Sequence, residues 1–200
     1  FRNRREAGRE LAEPLMRYRD RENGIILALP RGGVPVAYEV SVALRLRLDV
    51  FVVRKLGAPG RPELAIGALT AGGIRVLNDE IIASLELTEE QIDNVARRER
   101  REIDRRARVY RGDRPMRELA DRFVILIDDG LATGATMVAA ARAVKSREPE
   151  RIIVAVPVAP PDVCETFEGL ADEVICLRTP QFFSGVGAWY RDFRQTTDNE

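Results

Sequence analysis

Residues Phe123–Thr136 read FVILIDDGLATGAT, and the reading of the fold starts from that order. Five apolar residues, three of them β-branched, run without a polar interruption. Such a run suits a strand buried on both faces of a parallel sheet. Asp128 and Asp129 close the strand, and a loop of small and hydroxyl residues follows. Met137 to Lys145 is then helix-compatible. Open α/β sheets bind ligands at the carboxyl ends of their strands. Gly130, Gly134 and the small Ala132 and Ala135 let backbone N–H groups come close to a ligand. Thr133 and Thr136 add hydroxyl donors, and the helix N-terminus adds a partial positive charge suited to phosphate. Carboxylates for sugar hydroxyls beside an amide cradle for phosphate describe a receptor for a ribose 5-phosphate. The plainer reading is an ordinary buried strand and βα turn with a capping Asp. No Walker A loop, Gly-x-x-x-x-Gly-Lys-Ser/Thr, occurs in the chain.

A second strand, turn and helix lie upstream. Gly24 to Pro30 is another short apolar run, followed by Arg31-Gly32-Gly33-Val34-Pro35. Pro35 suits an early helical position, where its missing N–H would be unpaired anyway. From Val36 to Leu48, residues Val36, Val40, Ala43 and Leu44 share one helical face. Two glycines expose consecutive amides, and Arg31 adds a forked donor for phosphate oxygens. Between the two units, Asp49–Val53 reads as a strand with Arg54 and Lys55 at its carboxyl end. Leu56 to Gly60 reads as a loop by composition.

The stretch from Asp128 to Thr136 resembles the 5-phosphoribosyl-1-pyrophosphate (PRPP) motif of the type I phosphoribosyltransferases. The resemblance implies that Asp128 and Asp129 take the ribose hydroxyls. It implies that Ala132, Thr133, Gly134, Ala135 and Thr136 take the 5′-phosphate. The upstream turn resembles the pyrophosphate loop of the same family, which often carries a strained or cis peptide. Arg31, Gly32, Gly33, Arg54 and Lys55 would then hold pyrophosphate. Asp128, Asp129, Arg31 and Lys55 carry over as catalytic residues. Mg²⁺ is the implied cofactor, held by PRPP and water and reached only indirectly by Asp128 and Asp129. The whole chain resembles a group of bacterial proteins described as predicted phosphoribosyltransferases, a description that leaves the acceptor open.

The remaining pattern supports an α/β fold: a mainly parallel twisted sheet with helices on both faces. A helix with Ala7, Leu11 and Leu15 on one stripe is expected within Phe1–Arg19. Strands are expected at Gly24–Leu29, Phe123–Leu126, Arg151–Val156 and Glu173–Leu177. Helices are expected near Thr136–Arg147 and Asp162–Leu170. Leu64–Thr70 and Ile74–Asn78 read as a hairpin joined through Ala71-Gly72-Gly73. The 200 residues, 45% hydrophobic and 32% charged, suit one domain over 1–200. Formal net charge is +0, which argues against a general nucleic-acid or membrane-surface binder. No apolar run is long enough to span a bilayer and no secretory segment is visible, so a cytoplasmic home is expected. Cys164 and Cys176 lack a Cys-x-x-Cys spacing and read as reduced core residues. With no His in the chain, a Ser-His-Asp triad and His-based metal sites are excluded.

Two segments keep alternative readings. In 79–117, Thr88-Glu-Glu-Gln91 fits a capping box that opens a long charged helix. Asp93–Arg97, Glu102–Arg106 and Asp104–Arg108 have the spacing of helical ion pairs. This helical basic insertion reads as a flap over the phosphates, as an RNA-binding face, or as a solvated helix laced with surface ion pairs. The segment 179–200 carries Phe182, Phe183, Trp189 and Tyr190. As a hood, it would stack Trp189 or Phe183 on a base; as an arm, it would pack its rings on the core.

The resemblance implies transfer of ribose 5-phosphate from Mg-PRPP to a nitrogen acceptor, a nucleobase, with release of pyrophosphate. The family's 6-oxopurine enzymes place an Asp where this chain has Ala132, so that acceptor class is in doubt. Without His, a general base would have to be a carboxylate, for which Glu63 is a candidate. The alternatives are a PRPP- or nucleotide-binding regulator without turnover and a non-enzymatic interaction module. Dimers are common in this fold, which implies a homodimer by analogy.

Overall fold

The fold is described from a computed structural model over residues 1–71, 75–112 and 114–198, apart from the side chain of Glu63. The chain forms helix α1 (Arg4–Leu15), strand β1 (Gly24–Ala28), helix α2 (Gly33–Leu44) and strand β2 (Arg47–Val50). A hairpin unit follows: β3 (Val53–Ala58), β4 (Arg61–Thr70) and β5 (Arg75–Leu77). Next come helices α3 (Asp79–Ser84) and α4 (Glu89–Arg111). The chain continues with β6 (Phe123–Ile127), α5 (Ala135–Lys145), β7 (Arg151–Val158), α6 (Pro161–Glu165) and β8 (Glu173–Arg178).

Strand β6 lies at the centre of a five-stranded parallel sheet ordered β2-β1-β6-β7-β8, with all five of its residues buried. Ile125 lies opposite Ile26 of β1 and Ile153 of β7. Successive residues point to opposite faces, and both faces are covered. Phe123, Ile125 and Ile127 pack with Leu11 and Leu15 of α1 and Val36, Val40 and Leu44 of α2. Val124 and Leu126 pack with Met137, Ala140, Ala141 and Val144 of α5. That two-sided burial explains why the strand reads as an unbroken apolar run rather than an alternating one.

From β1 the chain moves outward to β2, and from β6 it moves the opposite way through β7 to β8. The order therefore reverses between β1 and β6, which places a crevice at their carboxyl ends. Both sequence motifs begin there.

A three-stranded antiparallel sheet, β3-β4-β5, packs against α5 and α4. Its join at residues 72–74 lies outside the described residues. The expected strand Asp49–Val53 is corrected: it divides between two sheets. Phe51 N–H donates to Ala28 and extends the parallel sheet, while Val52 accepts from Ala71 N–H in the second. No Gly or Pro marks this change, since Phe51 and Val52 are each buried in a different core. Leu56-Gly57-Ala58, read as loop, continues β3 with a bulge against β4.

Helix α4 begins with the capping box at Thr88 and Gln91. It buries Ile92 and Ile103 against Leu56 and Ile66 of the small sheet. The Glu102–Arg106 pair forms at 2.6 Å. Asp93 instead meets Arg75 of β5, and Asp104 meets Arg100 at 3.3 Å. Partners outside the helix and one turn back out-compete the spacing rule.

Helix α6 ends sooner than expected, at Glu165. Cys164 in α6 and Cys176 in β8 are joined as a disulfide, with Cα atoms 7.2 Å apart. This corrects the reading of two reduced residues; the αβ connection folds back so that positions 12 residues apart face one another.

Candidate active site

The two motif loops touch. At Gly32 a Cβ would stand 2.0 Å from Asp129 Oδ2, and at Gly33 one would stand 2.7 Å from the Ile127 carbonyl oxygen. These glycines are needed because the carboxylate loop lies against the loop after β1. Gly33 N–H donates to Leu29 and Leu29 N–H to Ile127, which fastens the two strand ends together. The peptide bond between Pro30 and Arg31 is cis.

After β6, Gly134 adopts a left-handed conformation (φ 70°) and caps α5. Leu131 N–H is tied to the Val158 carbonyl. Ala135 N–H meets only the Thr133 hydroxyl, at 3.4 Å. The N–H groups of Ala132, Thr133, Gly134 and Thr136 have no partner among the described residues. Ala132, Thr133 and Thr136 are exposed. Unpaired amides at a helix N-terminus are suited to an anion.

The carboxylates differ. Asp128 is half-buried, and its Oδ1 accepts the Asp129 N–H at 2.8 Å. Desolvation, and then the adjacent Asp129 charge, push its carboxyl well above the usual range, although the Asp129 N–H acts the other way. Asp129 is paired with Arg4 of α1, Nε to Oδ2 at 2.7 Å. The Tyr190 hydroxyl donates to the Asp129 carbonyl at 2.6 Å. Burial, followed by the Asp129 charge, raises this phenol above its ordinary value.

The proposed basic residues separate. Arg54 and Lys55 lie inside β3 rather than at a strand end, and neighbouring strand positions face opposite ways. Arg54 is on the side of Leu56, toward α4, where it pairs with Glu99 at 2.7 Å. Lys55 shares the side of Val53, which belongs to the core around α5. Arg31 lies 3.9 Å from Asp198 of the C-terminal segment. Asp198 also accepts the Tyr110 hydroxyl of α4 at 2.6 Å. A cavity of about 260 Å³ lies among Pro30, Arg31, Val34, Tyr110 and Asp198.

In the C-terminal segment, Val186–Trp189 forms a short 3₁₀ turn. Val186 sits over Gly130, where an added Cβ would be 2.6 Å from Val186 Cγ1. Phe183 and Trp189 are half-buried, and Phe182 is exposed. The aromatics grouped at the carboxylates are Tyr190 and Phe193, with centroids 5.0 Å apart. Arg4, Tyr190 and Phe193 were absent from the sequence-derived site. The Glu63 side chain lies outside the described residues.

A parallel sheet with two contiguous loops at its switch point, one bearing paired carboxylates and free amides, defines the type I phosphoribosyltransferase fold. The family model described as "Phosphoribosyl transferase domain" matches residues 2–190, and the chain belongs to that family. It is 45% identical over 200 residues to "Putative phosphoribosyl transferase Rv0571c" of Mycobacterium tuberculosis H37Rv, covering 100% of this chain. A second strain, CDC 1551, has a relative matching to the same extent. The chain spans 45% of the length of these curated relatives. The crystal structure of TT1426 from Thermus thermophilus superposes with a TM-score of 0.90 at 44% identity. That match covers 100% of this chain and 94% of the other.

Proposed function

We propose that the protein binds Mg-PRPP in the crevice between β1 and β6 and transfers ribose 5-phosphate to a nitrogen acceptor, a nucleobase. The observation that carries this reading is the contact between the two loops. Asp129 rests on Gly32, so a pyrophosphate cradle and a ribose-phosphate cradle face one ligand. The free amides at Ala132, Thr133, Gly134 and Thr136 would take the 5′-phosphate. Asp128 and Asp129 would accept hydrogen bonds from the ribose hydroxyls. Arg31 and the amides beside Gly32 and Gly33 would take pyrophosphate, with Lys55 as the second cation in place of Arg54, which is paired with Glu99.

Among the described residues, no group of three or more His, Cys, Asp or Glu could form a metal cage. Two strand-end carboxylates, one tied to Arg4, fit an ion that arrives on the donor's own oxygens. When bound, Mg²⁺ would offset charge on the departing pyrophosphate. The C1′–oxygen bond breaks as pyrophosphate takes the electron pair, and the acceptor nitrogen forms the new bond and gives up its proton to water. Positioning and charge stabilisation are what this reaction requires of the protein. Residues 79–117 serve as cover and 179–200 as hood in this scheme, with Tyr190 the aromatic nearest the ribose carboxylates.

The test is pyrophosphate release from Mg-PRPP across a panel of purine and pyrimidine bases, with Asp128→Asn and Asp129→Asn as controls. Release that needs one base and disappears in both controls supports transfer and names the acceptor. PRPP binding without release for any base replaces transfer with regulation.

A further inference from the structure

Arg4 is far from both motifs in sequence, 125 residues from Asp129, yet its side chain ends against the ribose carboxylate. The pair is enclosed: Arg4 is 12% exposed and Asp129 14%. Arg4 Nε donates to Asp129 Oδ2 at 2.7 Å, and a second nitrogen donates to the Arg194 carbonyl at 2.7 Å. Its guanidinium lies 3.9 Å from the centre of the Phe193 ring. Arg191 and Asp192 donate backbone N–H groups to Phe1 and Arg2, which holds the C-terminal segment beside the start of α1.

Each contact constrains a different freedom. The ring fixes the plane of the guanidinium. The Arg194 carbonyl occupies one edge, leaving the Nε edge for the carboxylate. On the opposite side, Asp129 Oδ2 rests on Gly32. One carboxylate oxygen is thus held between a cation and a backbone, and the torsion of the side chain is set before any sugar arrives.

We infer that Arg4 is a positioning residue for donor binding, acting through Asp129 to aim its free oxygen at a ribose hydroxyl. This inference rests on the functional reading above. A fixed hydrogen-bond acceptor costs less entropy to engage than a rotating one. Partners one step removed from a ligand can carry large effects on affinity. The guanidinium fork suits this role better than an ammonium, since lysine cannot bridge carboxylate, carbonyl and ring with one planar group.

The test measures Mg-PRPP and Mg-pyrophosphate affinities by calorimetry for the wild-type chain, Arg4→Met, Arg4→Lys, Asp129→Asn and the Arg4→Met/Asp129→Asn double variant. Pyrophosphate has no ribose, so it reports on the other loop and on folding. Arg4→Met is expected to weaken PRPP about tenfold, and pyrophosphate less than about twofold. Arg4→Lys is expected to recover part of the loss. The double variant is expected to bind PRPP as Asp129→Asn does, because Arg4 acts only through that carboxylate. Equal losses for both ligands, additive losses in the double variant, or unchanged PRPP affinity in Arg4→Met overturns the inference alone. Failure of the wild-type chain to bind PRPP overturns the functional reading and this inference with it. Should Arg4→Met unfold, Arg4→Lys carries the same comparison of ligands.

Discussion

Gly32 and Asp129 are in contact across the β1–β6 crevice, with room for a hydrogen but not a methyl between them: a Cβ at 32 would meet Oδ2 at 2.0 Å. Gly32 itself is in an ordinary right-handed conformation (φ −61°). Alanine there meets no backbone strain and lowers the entropy of the unfolded chain. The obstacle is the Asp129 carboxyl group, Oδ2 at 2.0 Å and Cγ at 2.5 Å, which must swing away from Arg4 to make room.

Gly32→Ala is therefore expected to cost about 1–2 kcal/mol in stability, chiefly the lost Arg4–Asp129 hydrogen bond, while reducing PRPP affinity about tenfold or more. At Gly33 the obstacles are backbone atoms, Ile127 O at 2.7 Å and Asp128 Cα at 2.9 Å. These cannot move without disturbing β6, so Gly33→Ala should cost about 2–3 kcal/mol. Urea unfolding alongside PRPP titration checks the contrast. Equal stability losses at the two positions would refute it.

Asp128 predicts a pH dependence. An acid raised above its ordinary value of 3.8 holds its proton more tightly in the fold than in the unfolded chain. Its contribution is fully present below 3.8 and is lost as pH rises through the elevated folded value. Asp128→Asn removes the charge at nearly constant shape. It should raise the neutral-pH stability of the ligand-free protein while abolishing tight donor binding. Thermal melts from about pH 4 to 8 should show the variant's advantage growing with pH. Parallel wild-type and variant curves would remove Asp128 as the cause.

The legible part of this protein was what lies close in sequence. FVILIDDGLATGAT contains a strand, its terminal carboxylates, an amide loop and a helix start in one run, so local chemistry alone outlined half of the candidate site. Arg31-Gly32-Gly33 did the same for the other half. The contact between these halves depends on β1 and β6 being neighbours, which no local pattern specifies. The contacts of Arg4 and Tyr190 were hidden for the same reason: both meet Asp129, in the loop after the central strand, and are brought there only by the tertiary fold. The division at Phe51 and Val52 was hidden differently, because two consecutive apolar residues can enter two cores without a turn residue between them. Arg54 and Lys55 were misplaced through that same error, which put a strand end where a new strand begins.

Tyr110 and Asp198 join α4 to the C-terminal segment above Arg31. Burial, then the hydrogen bond and charge of Asp198, push the phenol up to about 12, while Arg106 and Arg31 oppose the rise. The interaction favours the fold at and below the ordinary value of 10.0 and is lost as pH rises through about 12. The difference in phenolate absorbance between wild type and Tyr110→Phe should thus rise near pH 12. Asp198→Asn should bring that rise back toward 10.0. An unchanged midpoint in Asp198→Asn would mean that the two side chains do not meet in solution.

Arg111 makes the other link between α4 and the main sheet. It is 7% exposed, pairs with Asp49 of β2 at 3.0 Å and donates to the Val50 carbonyl at 2.7 Å. Its Nε has no partner among the described residues, so the guanidinium is already short of one hydrogen bond. Removing the carboxylate leaves the more deeply buried cation with the Val50 carbonyl as its one hydrogen-bond partner and no opposite charge, whereas removing the cation leaves the less buried Asp49 with the Val50 N–H bond at 2.8 Å. Asp49→Ala should therefore cost about 3–5 kcal/mol and Arg111→Met about 1–2 kcal/mol, an asymmetry expected of a buried pair. The double variant Asp49→Ala/Arg111→Met should recover much of the Asp49→Ala loss, because it no longer buries an unpaired charge. Chemical denaturation of the three variants measures the cycle. Equal losses in the two single variants would show the pair to be solvated and not a buried link between α4 and β2.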